Sequence, residues 1–134
     1  TMRAHGAHSV LVSGGFGFFT SRVAALAGFH ENFGNSLIDD GAVLTGEVGM
    51  PILGREAKVE TMQRTVQKLG IDNADVLAVG DGANDLGMIA LAGMGVAYHA
   101  KPVVAEAASV AVNHNDLTAL LYLQGYGDGE IAHQ

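Results

Sequence analysis

Short apolar runs alternate with longer amphipathic stretches along this chain, and the two patterns predict two kinds of element. The apolar runs, which are typical of strands in a buried parallel sheet, lie at residues 9–12, 76–79, 95–98 and 109–112. The stretches with apolar residues at helical spacing lie at residues 19–27, 55–69, 85–92, 103–108 and 117–123. This alternation predicts an α/β fold with a parallel sheet and helices on both faces.

The spacing also predicts which side of a helix is apolar and where the helix stops. In the stretch 19–27, the residues on one side are Phe19, Val23, Leu26 and Ala27, and Gly28 follows as a helix end. Between residues 35 and 49 the pattern changes, because two short apolar runs flank Asp39-Asp40-Gly41. Asp-Gly in that position is typical of a β-hairpin, so we expect a small hairpin beside the parallel sheet.

Length and glycine content bear on the domain organisation. The chain has 134 residues without a repeat or a linker, so we expect one domain over 1–124 and a polar C-terminal tail over 125–134. Its 19 glycines are roughly twice the usual share. Because there are only two prolines and 49% hydrophobic residues, the glycines indicate tight turns and close backbone approaches rather than collagen or disorder.

Charge and composition exclude several classes of function. The formal net charge is −7 and the basic residues are scattered, so we expect neither nucleic acid nor an anionic membrane as a partner. No apolar run reaches the roughly 18 residues of a membrane span. The absence of cysteine excludes disulfides and thiolate metal sites and fits a reducing compartment, so the expected location is the cytoplasm. The six histidines show no zinc-binding spacing.

The first candidate site is the six-residue segment 80–85, GDGAND, which follows the apolar run at 76–79. Parallel α/β folds bind ligands at the carboxyl ends of their strands. Oxygen atoms from Asp81, Asn84 and Asp85 suit a hard cation such as Mg²⁺, and the flanking glycines would let the backbone approach a ligand. A tight turn with Asp85 as a helix cap is the competing interpretation. Six residues in this order after a buried strand favour the metal site.

The second candidate site is the segment 12–16, VSGGF, at the end of the first predicted strand. The Ser13 hydroxyl and the backbone N–H groups near Gly14 and Gly15, just before a helix, could form an anion cradle. A plain strand-to-helix turn explains these residues equally well. A dinucleotide site is not favoured, because Thr20 stands where the third glycine of the G-x-G-x-x-G fingerprint belongs.

Lys58 is the third candidate and lies in the first turn of the amphipathic stretch 55–69. Next to the apolar Val59, its ammonium group could reach a strand-end site and neutralise a phosphate. Taken alone, a lysine in a first helical turn is more often a solvated charge.

Together, these segments resemble the haloacid dehalogenase superfamily of phosphohydrolases and, within it, the phosphoserine phosphatases. The segment LVSGGF (11–16) resembles the second family motif, Lys58 the third, and VGDGANDL (79–86) with Met88 the fourth. The segment AYHAKP (97–102) and the predicted hairpin narrow the resemblance to the phosphoserine phosphatases. The resemblance covers residues 1 to about 123 and implies a Rossmann-like core.

The resemblance implies a magnesium-dependent phosphomonoester hydrolase that acts on O-phosphoserine in L-serine biosynthesis. Its aspartate nucleophile would form an aspartyl-phosphate that water hydrolyses. The resemblance makes Asp81 a Mg²⁺ ligand, while Asp85 binds the metal or orients its waters. The residues implied to bind phosphate are Ser13, Gly14, Gly15, Lys58 and Asn84. Of these, Lys58 and Ser13 are also catalytic, and Lys58 would neutralise the transferring group and pair with the nucleophile.

One departure from the family is large. The family's nucleophile motif, Asp-x-Asp on the central strand, does not occur here, because Asp39 and Asp40 are adjacent and lie in the predicted hairpin. The helical cap that selects the substrate is absent as well. We therefore expect the C-terminal part of such an enzyme, without its central strand and without turnover on its own. Exposed parallel edges would make it pair with the missing N-terminal part of its chain, self-associate or lose stability.

Three alternatives remain open. The phosphorylation domain of cation-pumping ATPases carries a similar Gly-Asp-Gly-x-Asn-Asp segment, but it normally lacks Ser-Gly-Gly-Phe and its chain carries transmembrane helices. Another phosphatase of the same superfamily, for example one acting on phosphohomoserine, would differ in the cap. A non-catalytic domain that binds phosphate or Mg²⁺, or a regulatory fragment, gains weight from the missing nucleophile. A companion segment with an Asp-x-Asp strand in the parent gene would count against this third alternative.

Overall fold

The computed structural model describes residues 1–132, and these residues form seven strands and five α-helices. The strands are β1 (Val10–Phe16), β2 (Glu31–Asn35), β3 (Leu37–Asp39), β4 (Leu44–Val48), β5 (Leu77–Gly80), β6 (Met94–Tyr98) and β7 (Val110–Val112). The helices are α1 (Gly17–Ala27), α2 (Arg55–Leu69), α3 (Leu86–Leu91), α4 (Pro102–Ala107) and α5 (Ala119–Leu123). The chain divides into two compact units: the N-terminal unit, residues 2–54, and the C-terminal unit, residue 55 onward with Thr1.

The N-terminal unit is built on the pair β1 and β2, which run parallel with Val10 opposite Glu31 and Val12 opposite Phe33. Helix α1 connects these two strands and packs on both of them. It ends as predicted at Gly28, whose φ of +75° is the left-handed conformation that glycine adopts at little cost. The Gly28 N–H donates to the carbonyl of Ala24 and so closes the last turn.

The apolar side of α1 that the spacing predicts is the exposed one. Phe19, Val23 and Leu26 are 60%, 49% and 88% exposed, whereas the buried residues of the helix are Thr20 and Ala24. The reason lies in β2, where a Cβ atom on Gly34 would come within 2.8 Å of the Thr20 hydroxyl. The helix therefore approaches β2 through small residues, and its large side chains face outward.

The predicted hairpin is confirmed as the antiparallel pair β3 and β4, with Leu37 opposite Val48 and Asp39 opposite Leu44. At its turn the Asp40 carboxylate accepts hydrogen bonds from the N–H groups of Ala42 and Val43, at 3.0 and 2.9 Å. The N–H groups of Val43 and Ala42 hold the pKa of Asp40 below its usual value.

The C-terminal unit contains the parallel sheet β5-β6-β7, with β6 in the middle. Neighbouring residues of β6 point to opposite faces of the sheet. Ala97 packs with Ile89 of α3 and Val104 of α4 on one face. Val96 packs with Val112 and with Leu120 of α5 on the other face. Helices thus cover both faces of this sheet, as the sequence predicts.

The predicted α/β fold is confirmed, with two differences. The parallel strands form two hydrogen-bonded sheets, β1-β2 and β5-β6-β7, rather than one, in the part of the chain that is described. Strand β2 carries no apolar run and was not predicted. Of the predicted tail, residues 128–130 form a 3₁₀ turn, and the last two residues lie outside the described residues. The division at residue 124 stays a prediction. No helix within 1–132 is both long and apolar enough to cross a bilayer.

Candidate functional site

The segment 80–85 lies at the carboxyl end of β5, where its last residues form a 3₁₀ turn that leads into α3. The Asp85 side chain closes this loop, because its Oδ2 accepts the N–H groups of Asp81 at 3.0 Å and of Gly82 at 3.1 Å. Asp85 is only 3% exposed. The buried carboxylate of Asp85 therefore caps this turn.

Lys58 of α2 meets this loop. Its Nζ donates a hydrogen bond of 2.5 Å to Oδ1 of Asp85, and Lys58 itself is only 9% exposed. The interpretation of Lys58 as a solvated charge is therefore wrong. The two residues are 27 positions apart in the sequence, and the packing of α2 against α3 and the preceding turn brings them together.

Opposing effects set the charge of Asp85. Burial alone would raise its pKa, but the hydrogen bond from Lys58, the Gly82 N–H, the positive charge of Lys58 and the Asp81 N–H together lower the pKa below its usual value. The carboxyl is therefore ionised at neutral pH. The result is a buried ion pair at the strand end, in which each charge has a partner.

The glycines of this loop serve the packing of its own side chains. A Cβ atom on Gly80 would overlap the Asp85 side chain, and one on Gly82 would lie 2.8 Å from Oδ1 of Asn84. The space beside Gly80 is thus occupied by Asp85 itself. The predicted reason for this glycine, backbone approach to a ligand, needs correction at that position.

Asp81 and Asn84 are exposed at the same strand end. Their side chains offer a carboxylate and an amide oxygen, and Mg²⁺ prefers one or two carboxylates together with water. The residues present therefore fit magnesium, with Asp81 as the better ligand, since both oxygens of Asp85 already accept hydrogen bonds. Within residues 1–132, no group of three or more His, Cys, Asp or Glu side chains is arranged to hold a metal ion.

The segment AYHAKP meets the same loop from β6. The Lys101 N–H donates to the carbonyl of Asp81 at 3.2 Å. His99, two residues before Lys101, has a φ of +45°, which is uncommon for a residue with a side chain. Its backbone N–H donates to Val112, and its Nε2–H donates to the carbonyl of Asn115 at 2.8 Å. These two bonds hold the turn in that conformation.

The second candidate segment ends β1 in the N-terminal unit. Here the Gly15 N–H donates to Oγ of Ser13 at 3.0 Å. The carbonyl of Gly14 accepts a 2.7 Å hydrogen bond from Nδ2 of Asn35, the last residue of β2. Asn35 is buried, and its Oδ1 accepts the Leu53 N–H at 2.6 Å. The predicted strand end at Val12 is wrong, because β1 continues to Phe16 with an irregular register between Val12 and Phe16. This irregular stretch, residues 13–15, is called the Ser13 loop below, and an amide side chain braces it.

No sequence pattern predicts this role for Asn35, because β2 itself was not predicted. The available signal was the polar segment 31–35, ENFGN, directly before the hairpin. Two asparagines of this segment form hydrogen bonds within the unit. Asn32 accepts a hydrogen bond from the Thr20 hydroxyl, and Asn35 forms hydrogen bonds with the backbone of Gly14 and Leu53.

The candidate residues thus fall into two groups, one in each unit. The C-terminal unit brings Lys58, Asp81, Asn84 and Asp85 to one loop, and the N-terminal unit holds Ser13, Gly14 and Gly15. The phosphate and metal roles of these residues stay predictions.

Comparisons with known proteins identify a family and relatives of this chain. A model of the haloacid dehalogenase-like hydrolases matches residues 1–90. A phosphoserine phosphatase of Haemophilus influenzae is 41% identical over 129 residues, which cover 96% of this chain and 41% of that protein.

Two solved structures are also similar. The crystal structure of a probable phosphoserine phosphatase from Vibrio cholerae has a TM-score of 0.86 at 35% identity, over 90% of this chain and 38% of that one. A phospho-aspartyl intermediate analogue of phosphoserine phosphatase has a TM-score of 0.84 at 34% identity, over 91% of this chain and 58% of that one. The chain therefore spans between 38% and 58% of the length of these three proteins.

Proposed function

The chain belongs to the haloacid dehalogenase-like hydrolase family, and on that premise we propose that it carries the magnesium and phosphate side of a phosphoserine phosphatase site. The observation that carries the proposal is the buried Lys58–Asp85 pair on the loop that exposes Asp81. A lysine and two carboxylates at a strand end suit a phosphoryl group and a hard cation. The names of the relatives support O-phosphoserine as the substrate class. L-serine formation in the cytoplasm is part of the proposal.

Each residue of the C-terminal unit has a part in this proposal. Lys58 neutralises charge on the phosphoryl group as it is transferred, and Asp85 keeps the ammonium group of Lys58 at the loop. Asp81 would hold Mg²⁺, and Asn84 would help to bind the phosphate. When bound, Mg²⁺ withdraws negative charge from the phosphoryl oxygens and so eases attack on phosphorus.

The N-terminal unit supplies the anion-binding loop in this proposal. The Ser13 hydroxyl and the backbone N–H group of Gly14 would donate to phosphate oxygens, while the Gly15 N–H, predicted to bind phosphate as well, already donates to Oγ of Ser13. These groups are neutral, so they orient the phosphate without adding charge.

The nucleophile must come from outside these 134 residues, because no Asp-x-Asp motif occurs among them. One structural relative is described as a phospho-aspartyl intermediate analogue, which supports an aspartyl-phosphate route for the complete enzyme. We therefore propose that the chain alone has no turnover. Its partner would be a segment that carries the aspartate, or a second copy, since the apolar β5 is an edge strand of its sheet.

A chimera tests the proposed function. This chain replaces the matching region of the Haemophilus influenzae relative, so that the remainder of that protein supplies the aspartate nucleophile. We expect release of phosphate from O-phosphoserine that depends on added Mg²⁺. Lys58→Ala in the chimera lowers kcat about 100-fold or more, as expected for removal of one group that stabilises the transition state.

The matched control is Lys68→Ala, which removes a lysine from the last turn of the same helix. It leaves kcat within about twofold. A folded chimera that binds neither Mg²⁺ nor O-phosphoserine, or a Lys58→Ala chimera with full activity, would contradict the proposed function.

A further inference from the structure

We propose that Asn35 is a positioning residue for phosphate binding, which sets the direction of the hydroxyl group of Ser13 through the peptide between Gly14 and Gly15. The inference rests on the proposed phosphate role of the Ser13 loop and adds to it a residue that touches no substrate. It depends on contacts within the N-terminal unit alone.

The first step is the anchoring of Asn35 itself. Asn35 is 6% exposed, and both ends of its side-chain amide are engaged. Nδ2 donates to the carbonyl of Gly14 at 2.7 Å and to that of Leu53 at 3.4 Å. Oδ1 accepts the Leu53 N–H at 2.6 Å. An amide held at both ends cannot rotate without losing bonds that buried polar groups need.

The second step is the orientation of one peptide plane. In a trans peptide the C=O and the following N–H point in opposite directions. The Gly14–Gly15 peptide is trans, since the single cis bond among the described residues precedes Pro51. When Asn35 holds the Gly14 carbonyl on its side, the Gly15 N–H must point to the other side. There it donates to Oγ of Ser13 at 3.0 Å.

The third step is the consequence for the Ser13 hydroxyl. A serine hydroxyl has one hydrogen to donate and two lone pairs that accept. Because the Gly15 N–H occupies a lone pair of Oγ, the hydroxyl hydrogen is directed elsewhere and remains able to donate to an anion. Asn35 thereby presents Ser13 as a donor, and it does so without a charge that would change with pH.

The test uses the 134-residue chain labelled with ¹⁵N. Inorganic phosphate is titrated against the amide signals of Gly14 and Gly15, and the hydrogen-exchange rate of the Gly15 N–H is measured. We expect Asn35→Ala to weaken phosphate binding at least tenfold and to speed Gly15 exchange at least tenfold. The matched control is Asn32→Ala in the same strand, whose partner is Thr20, and it changes both quantities less than twofold.

A second variant separates positioning from simple loss of structure. Asn35→Asp keeps the acceptor for Leu53 and loses the donor to Gly14 when its carboxyl is ionised. As the pH falls and this carboxyl becomes protonated, the donor returns. The Gly15 exchange rate, divided by that of the unaltered chain at the same pH, should then fall back toward one.

The outcomes are distinguishable. If the unaltered chain binds no phosphate, the proposed phosphate role of the loop fails, while the Gly15 exchange still tests Asn35. Unchanged Gly15 exchange in a folded Asn35→Ala chain, or an Asn35→Asp ratio that does not vary with pH, overturns the positioning role. Loss of the native amide spectrum in both variants at every pH makes Asn35 a folding residue and also overturns the proposal.

Discussion

The loop after β5 is held by a buried charge, whereas the Ser13 loop near the end of β1 is held by a neutral amide. Asp85 accepts hydrogen bonds from two backbone N–H groups and from the ammonium group of Lys58. Asn35 donates to the carbonyl of Gly14 and accepts from the N–H group of Leu53. In both places, a side chain that is distant in sequence orders the backbone at the carboxyl end of a strand. They differ in the free energy lost when the partner is removed, because an unpaired buried charge destabilises the folded state far more than an unpaired buried amide.

The two units also differ in the core that supports these loops. The C-terminal unit buries Val96, Ala97 and Val104 completely, with apolar side chains on both faces of its sheet. In the N-terminal unit the buried residues are Thr20, Ala24 and Asn35, and the large side chains of α1 are exposed. The loop after β5 is therefore supported by an apolar core and an ion pair, and the Ser13 loop by hydrogen bonds and close backbone contact.

The largest effect is expected from separating the ion pair. Asp85→Ala leaves Lys58 buried without its partner and should lower the free energy of unfolding of the C-terminal unit by about 3 kcal/mol. Asn35→Ala should cost the N-terminal unit about 1–2 kcal/mol. Urea denaturation followed by amide signals from each unit measures both. The double variant Lys58→Met/Asp85→Leu should lose less than Asp85→Ala, and equal losses would show that the charge pair is not the cause.

Replacing a glycine should have a smaller effect on stability, and the loss should differ between Gly80 and Gly14. Gly80→Ala places a methyl group on the Asp85 side chain, and overpacking of this kind costs about 2 kcal/mol. Gly14→Ala meets only the Leu53 carbonyl, at 3.6 Å, which is an ordinary contact, so its cost stays below about 0.5 kcal/mol. Thermal unfolding of the two variants side by side measures the difference, and equal losses would contradict the packing described for the loop after β5.

The two loops should also respond differently to acid. The pKa of Asp85 is lower in the folded chain than its ordinary value of 3.8, so its ionised form stabilises the folded state above that pH. This stabilisation is lost as the pH falls below about 3.8 toward the lower folded value. Amide exchange between pH 5 and pH 2.5 should show early opening around residues 80–85. The braced Gly14 carbonyl, with its neutral partner Asn35, should not open in the same step, and simultaneous opening would contradict the comparison.

The smallest effect on stability is expected on the exposed face of α1. Leu26 is 88% exposed, so Leu26→Gln should change the free energy of unfolding by no more than about 0.5 kcal/mol. If the chain self-associates, the same change should reduce the sedimentation coefficient, because exposed apolar side chains favour association. The control is Ala25→Gln on the same helix. A loss above 1 kcal/mol would show that this side of α1 is packed.

The sequence patterns predict where helices and strands lie better than they predict which residues pack against them. Helix 55–69 and the Asp-Gly hairpin lie where predicted, because helical spacing and turn chemistry are local properties. The side of α1 that faces inward could not be predicted, since it depends on how closely Gly34 lets β2 approach Thr20. Strand β2 was missed for a related reason, because its residues satisfy loops through hydrogen bonds rather than through an apolar pattern.

The candidate site shows the same limit. Strand-end position predicts Asp81, Asp85 and Ser13 as candidates, but the partner of each is a matter of tertiary packing. The approach of Lys58 to Asp85 across 27 positions, and that of Asn35 to Gly14 across 21, appear only in the folded chain. Gly93 is a further example. It follows α3, and its small size is required by the Ala74 backbone rather than by a left-handed helix end.

In the proposed function, this chain carries the phosphate-binding and metal-binding residues of the site, while the nucleophile lies outside it. The most direct test is phosphate release from O-phosphoserine by the purified 134-residue chain with Mg²⁺, after an intact-mass measurement shows that no other polypeptide is present. We expect no release above the rate in buffer, because groups that stabilise the transition state cannot replace the aspartate that attacks phosphorus. Sustained turnover that requires Mg²⁺ and disappears in Lys58→Ala would contradict it.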